Sequence, residues 1–173
     1  MPELWVYVVG GVIIAVIAML IAYNLISSLI NHSQRQDALA QFSDFCSNVN
    51  MVCMQEIGNS LLKKYSFPMI VRVIYATDDI TNPLPKVVDK IKNKEESSGK
   101  NVCLQFKDEQ FLRCCPEVPK QFYCEIQMPH LGVLPEHEDI FVAVNKILGK
   151  SPRRDYEVLM NKTSGDKVSI TAI

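Results

Sequence analysis

The chain has 173 residues, 48% of them apolar and 21% charged, and its formal net charge at pH 7 is −1. A balance this close to neutral, with pI ≈ 6.3, leaves no electrostatic case for a nucleic-acid partner. The apolar residues are concentrated at the N-terminus.

From Leu4 to Ile30 no charged side chain occurs; after Glu3 the next is Arg35. A bilayer core needs about 20 apolar residues as helix, and the run exceeds that. It is also longer than the roughly 7–15 apolar residues of a secretory signal. Met1-Pro2-Glu3 ahead of it holds no Lys or Arg, and Asn31-His-Ser-Gln-Arg-Gln behind it holds no A-x-A cleavage pattern. The sequence therefore predicts an uncleaved transmembrane helix over residues 4–30; buried core helices are usually shorter. Trp5 and Tyr7 near one end and Tyr23 near the other suit interfacial aromatic belts. Gly10, Gly11, Ala15, Ala18 and Ala22 give near small-xxx-small spacing, which favours packing against another membrane helix.

The flanking charges hardly orient this segment, since Glu3 lies on one side and only Arg35 close by on the other. The six cysteines are more informative: Cys46, Cys53, Cys103, Cys114, Cys115 and Cys124 all follow the apolar run. An even set in a small exported domain reads as disulfides. Six reduced core cysteines or a metal site are the alternatives. No C-x-x-C occurs, and His32, His130 and His137 are not at zinc-ligand spacing from the cysteines. Two N-x-S/T sites, at Asn31 and Asn161, are candidate glycosylation acceptors compatible with an outside location. The expected location is the cell membrane, crossed once, with the C-terminal domain outside.

Residues 31–63 form an amphipathic helical extension. Leu39, Phe42, Cys46, Val49, Cys53 and Ile57 recur at steps of three and four, and Gln36, Asp37, Gln41, Asp44, Asn48, Asn50 and Gln55 make the polar face. With no Pro between Pro2 and Pro68, anchor and extension can be one helix of about 60 residues, roughly 90 Å long, running to about Leu62 and ended or kinked at Gly58-Asn59. Cys46 and Cys53 are seven positions apart, so they face the same way about 10 Å apart along the axis. That is beyond the roughly 7 Å that a disulfide spans between Cα atoms. Each must reach a later cysteine.

Residues 68–173 read as a β-rich head. Met69–Ala76 is β-branched and aromatic, a strand. Thr77–Pro85 is a loop. Lys86–Lys100 is charge-rich and reads as a short amphipathic helix ending at Gly99. Val102–Phe106 and Gln110–Cys114, joined by Lys107-Asp-Glu109, form a hairpin that sets Cys103 opposite Cys114, near disulfide reach. Cys115 points to the other strand face. Phe122, Cys124, Ile126 and Met128 alternate with Tyr123, Glu125 and Gln127 as a further strand with Cys124 inward. The expected pairing is Cys103–Cys114, with Cys115 and Cys124 going to Cys46 and Cys53 in either order. Pro129–Glu138 is a loop, Ile140–Leu148 leans towards a short helix, and Asp155–Met160 with Lys167–Ile173 makes a C-terminal hairpin around Thr163-Ser-Gly-Asp166. The fold class is α+β: a long N-terminal transmembrane helix whose amphipathic extension packs on a β-rich, disulfide-stapled head.

No catalytic constellation stands out, no cofactor is implied, and no metal site is assigned. His130 and His137 flank a loop, and Asp78-Asp79, Glu136 and Glu138-Asp139 read as solvated carboxylates. Cys114-Cys115 is adjacent, without the C-x-x-C spacing usual of catalytic thiols.

A short N-terminus with Glu3 just ahead of Leu4-Trp-Val, an uninterrupted apolar helix, an amphipathic extension and a cysteine-bearing β head resemble type IV pilin-like proteins, archaeal ones above all. The resemblance is architectural and spans the whole chain. It departs from the family's pattern in showing no basic leader ending in Gly. It implies assembly through the helix, with Glu3 pairing with a neighbouring subunit and Gly10 and Gly11 at helix contacts. The partners implied are the membrane and either other membrane helices or copies of the chain itself. The expected function is non-enzymatic: a pilin-like subunit, or an accessory component of a cell-surface assembly such as a filament. A membrane-tethered binding module is the alternative, and a tethered thiol or metal enzyme a further one.

Overall fold

The computed structural model describes residues 2–78, 80, 96–107, 112–116, 121–132 and 153–173. Most of the expected loop before Pro85, the charged helix as far as Glu95, the hairpin link at Asp108-Glu109, the loop from Val133 onward and the element Ile140–Leu148 lie outside those residues. The chain divides into two units, Met1–Gln36 and Asp37–Ile173.

Helix α1 runs from Pro2 to Met54. Pro2 suits the first turn, where its missing N–H has no intrahelical partner to lose. The helix stops well short of Leu62, which corrects the expected length. Gly58 takes a left-handed backbone with φ of 90°, a conformation that glycine enters at no steric cost. Beyond it Ser60–Pro68 is a strand, β1. Tyr65 and Phe67 are buried there while Lys64 between β neighbours is exposed, a period-two pattern that no helix satisfies. Ile57, read as part of the helical stripe, lies beyond the helix end and is 66% exposed.

The helix end is held from across the chain. No basic residue occurs in the last turn of α1. Instead Lys162, only 6% exposed, donates its ammonium hydrogen bond to the Cys53 carbonyl. A cation at a helix C-terminus meets both the unpaired carbonyls and the negative end of the helix dipole. The main chain repeats the tie: Gly58 N–H donates to the Lys162 carbonyl at 2.9 Å, and Lys162 N–H to the Asn59 carbonyl at 3.0 Å.

The strands are β1 (Ser60–Pro68), β2 (Val71–Thr77), β3 (Ser97–Gly99), β4 (Asn101–Phe106), β5 (Leu112–Cys115), β6 (Glu125–Met128), β7 (Leu131–Gly132), β8 (Arg153–Ser164) and β9 (Lys167–Ala172). They form a five-stranded sheet ordered β1-β8-β9-β6-β3 and a four-stranded sheet ordered β5-β4-β2-β7. Pairing is antiparallel except between β6 and β9. Ser97–Gly99, expected as the end of a helix, pairs with Met128, Gln127 and Ile126. That ladder satisfies backbone groups a solvated helix end would leave to water.

Three times the chain passes almost directly from the larger sheet to the smaller: β1 into β2, β3 into β4, and β6 into β7. At these passages backbones come close. A Cβ on Gly99 would collide with the backbone of Thr77, and one on Gly132 with the carbonyl of Arg72. Buried Ser97 stitches the sheets: its hydroxyl accepts from Ala76 N–H at 3.1 Å and donates to the Met128 carbonyl at 3.0 Å. The main core gathers Phe42, Phe45, Val49 and Val52 of α1 with Tyr65, Leu104, Ile126, Met128, Val158 and Met160 of the sheets. A second buried cluster, Val73, Tyr75 and Cys103, lies on the other face of the smaller sheet.

Candidate functional site: an exposed apolar segment and a stapled helical stretch

In the first unit, every described large apolar side chain from Trp5 to Ile30 is exposed. α1 is the one helix among the described residues that is long and apolar enough to cross a membrane, by length and composition. Contiguous apolar patches on soluble monomers rarely exceed a few hundred Å², and burying one Val, Leu or Ile side chain is worth about 1.5–3 kcal/mol. Such a surface in water is therefore strongly unfavourable. Glu3 lies within α1. Gly10 and Gly11 have open space where a Cβ would stand, so no contact among the described residues requires glycine at either position.

In the second unit the same helix is bound to the head. Ala38, Phe42, Phe45, Cys46, Val49, Val52 and Cys53 are buried, at the three- and four-residue steps of one helix face. Two disulfides fix this face: Cys46 to Cys115 at the end of β5, and Cys53 to Cys124 just before β6, with Cα separations of 6.1 and 5.7 Å. The third joins Cys103 to Cys114, directly opposed on β4 and β5, at 4.0 Å. The order that the sequence left open is thereby set. The two long-range bonds span 69 and 71 residues. In the chain-entropy description each loop of that length is worth about 4 kcal/mol against the unfolded chain.

Polar contacts follow the same stretch. Asp37 meets Arg153 at 2.7 Å, and Arg153 also donates to the Ser66 hydroxyl and carbonyl at 3.0 and 2.8 Å. Asp44 pairs with Lys63 at 2.8 Å. Asn48, read as part of a solvated face, is instead buried, and its amide donates to the Tyr65 hydroxyl at 2.8 Å. A polar residue facing the core is tolerated because its amide meets the Tyr65 phenol oxygen. Burial pushes the Tyr65 phenol up to about 12, with the Asn48 hydrogen bond opposing and Asp44 adding to the rise. Phe45 packs edge-on against the Tyr65 ring at 5.1 Å. Ala40, Ser43, Ser47, Met51 and Met54 face outward. The only charge among the exposed helical positions near them, Asp44, is already paired.

The remaining candidates do not converge. Asn31 and His32 are exposed on α1, Asn161 is half-buried on β8, and His130 lies between β6 and β7. The Asp78 carboxylate accepts from Lys100 N–H at 2.8 Å. His137, Asp79, Glu136, Glu138 and Asp139 lie outside the described residues. Among the described residues no group of three or more His, Cys, Asp or Glu is placed to hold a metal, and no cysteine is free. A small depression between β1, β2, β7 and β8 is lined by Phe67, Met69, Ile74 and Leu131 with Arg154 and Tyr156. Burial raises the Tyr156 phenol, opposed by Arg154; among the described residues no thiol, carboxylate or imidazole lines this surface. No family model matches the chain, and neither a curated protein nor a solved structure matches it.

Lys162 and Arg153 carry no role in the sequence pattern, and Asn48 reads there as part of the polar helix face. The signals were faint: a Lys between Met160 and Thr163 at an inward strand position, and an Asn two positions after one buried cysteine and five before another. β1 had a clearer one, Tyr65 and Phe67 alternating with Lys64 and Ser66.

Proposed function

We propose that this chain is a single-pass membrane protein with its oxidised head outside the cell, acting as a non-enzymatic, pilin-like subunit or accessory component of a surface assembly. The observation that carries this reading is one helix, Pro2–Met54, apolar and exposed at its start and clamped by two disulfides into a β head at its end. In a bilayer the exposed apolar surface is solvated by lipid tails, and the helix satisfies its own backbone hydrogen bonds. The clamps need an oxidising compartment, which favours the outside of the cell.

Two features favour assembly over a lone anchor. Gly10 and Gly11 have no described neighbour where a Cβ would stand, and small residues let membrane helices approach closely. The outward face of Asp37–Met54, built from Ala40, Ser43, Ser47, Met51 and Met54, is short of the charges that normally cover a solvated helix face. Glu3, ahead of the apolar run, would supply a carboxylate for a neighbouring copy. Electron microscopy of sheared surface material, with antibody against the head, tests this. Head-labelled filaments are the expected result. Protein confined to the membrane fraction, with no labelled filament, removes subunit status and leaves the tethered binding module.

A further inference from the structure

We propose that Asn161 is an N-glycosylation acceptor, so that a glycan stands on the outward face of the five-stranded sheet. The inference rests on the outside location of the head. Asn161-Lys-Thr163 has the acceptor pattern, and the structure orients its three side chains. In a strand successive side chains point to opposite faces. Met160 and Lys162 are buried, with Met160 at 0% exposure. Asn161 therefore faces outward and is half-buried, and Thr163 beyond it is exposed.

Two further features make this face suited to a sugar. Directly across from Asn161 stand Ser60 on β1 and Ser169 on β9, both small, so neither directly opposed side chain is bulky. The β8–β9 register slips between Lys162 and Ser164, and a bulge of this kind lifts its extra residue out of the ladder. That residue is Thr163, whose hydroxyl donates to the Lys167 carbonyl at 3.3 Å. Lys162 meanwhile holds the middle of the motif inward through the Cys53 carbonyl, so the amide cannot turn into the core without unseating the helix end.

The donor is a lipid-linked oligosaccharyl pyrophosphate. The Asn161 side-chain nitrogen bonds to the anomeric carbon, and the bond from that carbon to the pyrophosphate oxygen breaks. The lipid pyrophosphate leaves with the electron pair, and one amide proton passes to a base of the transferase. Asn31, the other N-x-S/T site, directly follows Ile30, about 1.5 Å of helix rise beyond the apolar run. In the membrane-spanning arrangement it sits among lipid headgroups, where a transferase cannot close around it. The chain should therefore carry one glycan.

Full-length protein from membranes of the organism that makes it, digested and analysed by mass spectrometry, tests this. The expected result is added sugar mass on the Asn161 peptide. That mass disappears in Asn161→Gln and Thr163→Ala, persists in Thr163→Ser, and is unchanged by Asn31→Gln. A bare Asn161 peptide from protein with its disulfides formed overturns the glycan site and leaves the outside location standing. A bare peptide from protein with reduced cysteines overturns both.

Discussion

Between Trp5 and Ile30, α1 exposes every described Val, Ile and Leu side chain. Between Asp37 and Met54 it buries one face against the sheets, with a disulfide at Cys46 and another at Cys53. The backbone conformation is the same; the source of stability is not. A helix in a bilayer closes its own hydrogen bonds and needs no tertiary partner. In water, an 18-residue helix is marginal alone and takes most of its stability from packing an amphipathic face. On the proposed membrane reading one helix serves two solvents, and substitutions in its two halves should be felt in different measurements.

The largest expected effect comes from removing both clamps. Replacing Cys46 and Cys53 by Ser leaves two loops unclosed, each worth about 4 kcal/mol in the chain-entropy description. Detergent-solubilised protein should then lose head stability by several kcal/mol in denaturant unfolding, while its membrane partition is unchanged. Next is a paired truncation. Phe45→Ala should destabilise the head by about 3–5 kcal/mol, whereas Ile17→Ala should leave head unfolding unchanged. If Ile17→Ala destabilises the head as Phe45→Ala does, the division between the halves fails. Lys162→Met is smaller. It leaves the Cys53 carbonyl without its buried partner, at about 1–3 kcal/mol. Faster hydrogen exchange at the last turn of α1, with little change around Phe42, is the readout.

The smallest effect is with pH. Burial raises Tyr65 from its ordinary 10.0 to about 12. Its folded pKa therefore lies above the unfolded one, so the protonated phenol binds its proton more tightly when folded. This contribution is fully present below pH 10.0 and lost as pH rises towards about 12. Tyr156 is shifted in the same direction. The head's urea midpoint should fall across that window, and Tyr65→Phe should flatten the fall.

Much of the helix and its clamps could be read from the sequence because both rest on spacing. Charge-free residues over Leu4–Ile30, cysteines seven apart on one stripe, and Cys103 opposite Cys114 are periodicities of the chain itself. The helix end was harder. Leu61 and Leu62 continue a helical spacing, and Gly58 breaks it only because β8 offers Ser60–Pro68 a partner nearly a hundred positions later. β3 was hidden in the same way: Ser97-Ser-Gly99 has no strand propensity and is a strand through its pairing with β6. Lys162 and Asn48 looked solvated because a polar residue's buried partner, here a carbonyl or a phenol from a distant element, leaves no trace in local pattern.

The most direct test is non-reducing peptide mapping of full-length protein recovered from alkali-stripped membranes. A membrane helix clamped to an oxidised head requires the protein in the membrane pellet, with Cys46 linked to Cys115, Cys53 to Cys124 and Cys103 to Cys114. Alkylatable thiols at these cysteines, or a peptide linking Cys46 to Cys53, would contradict it.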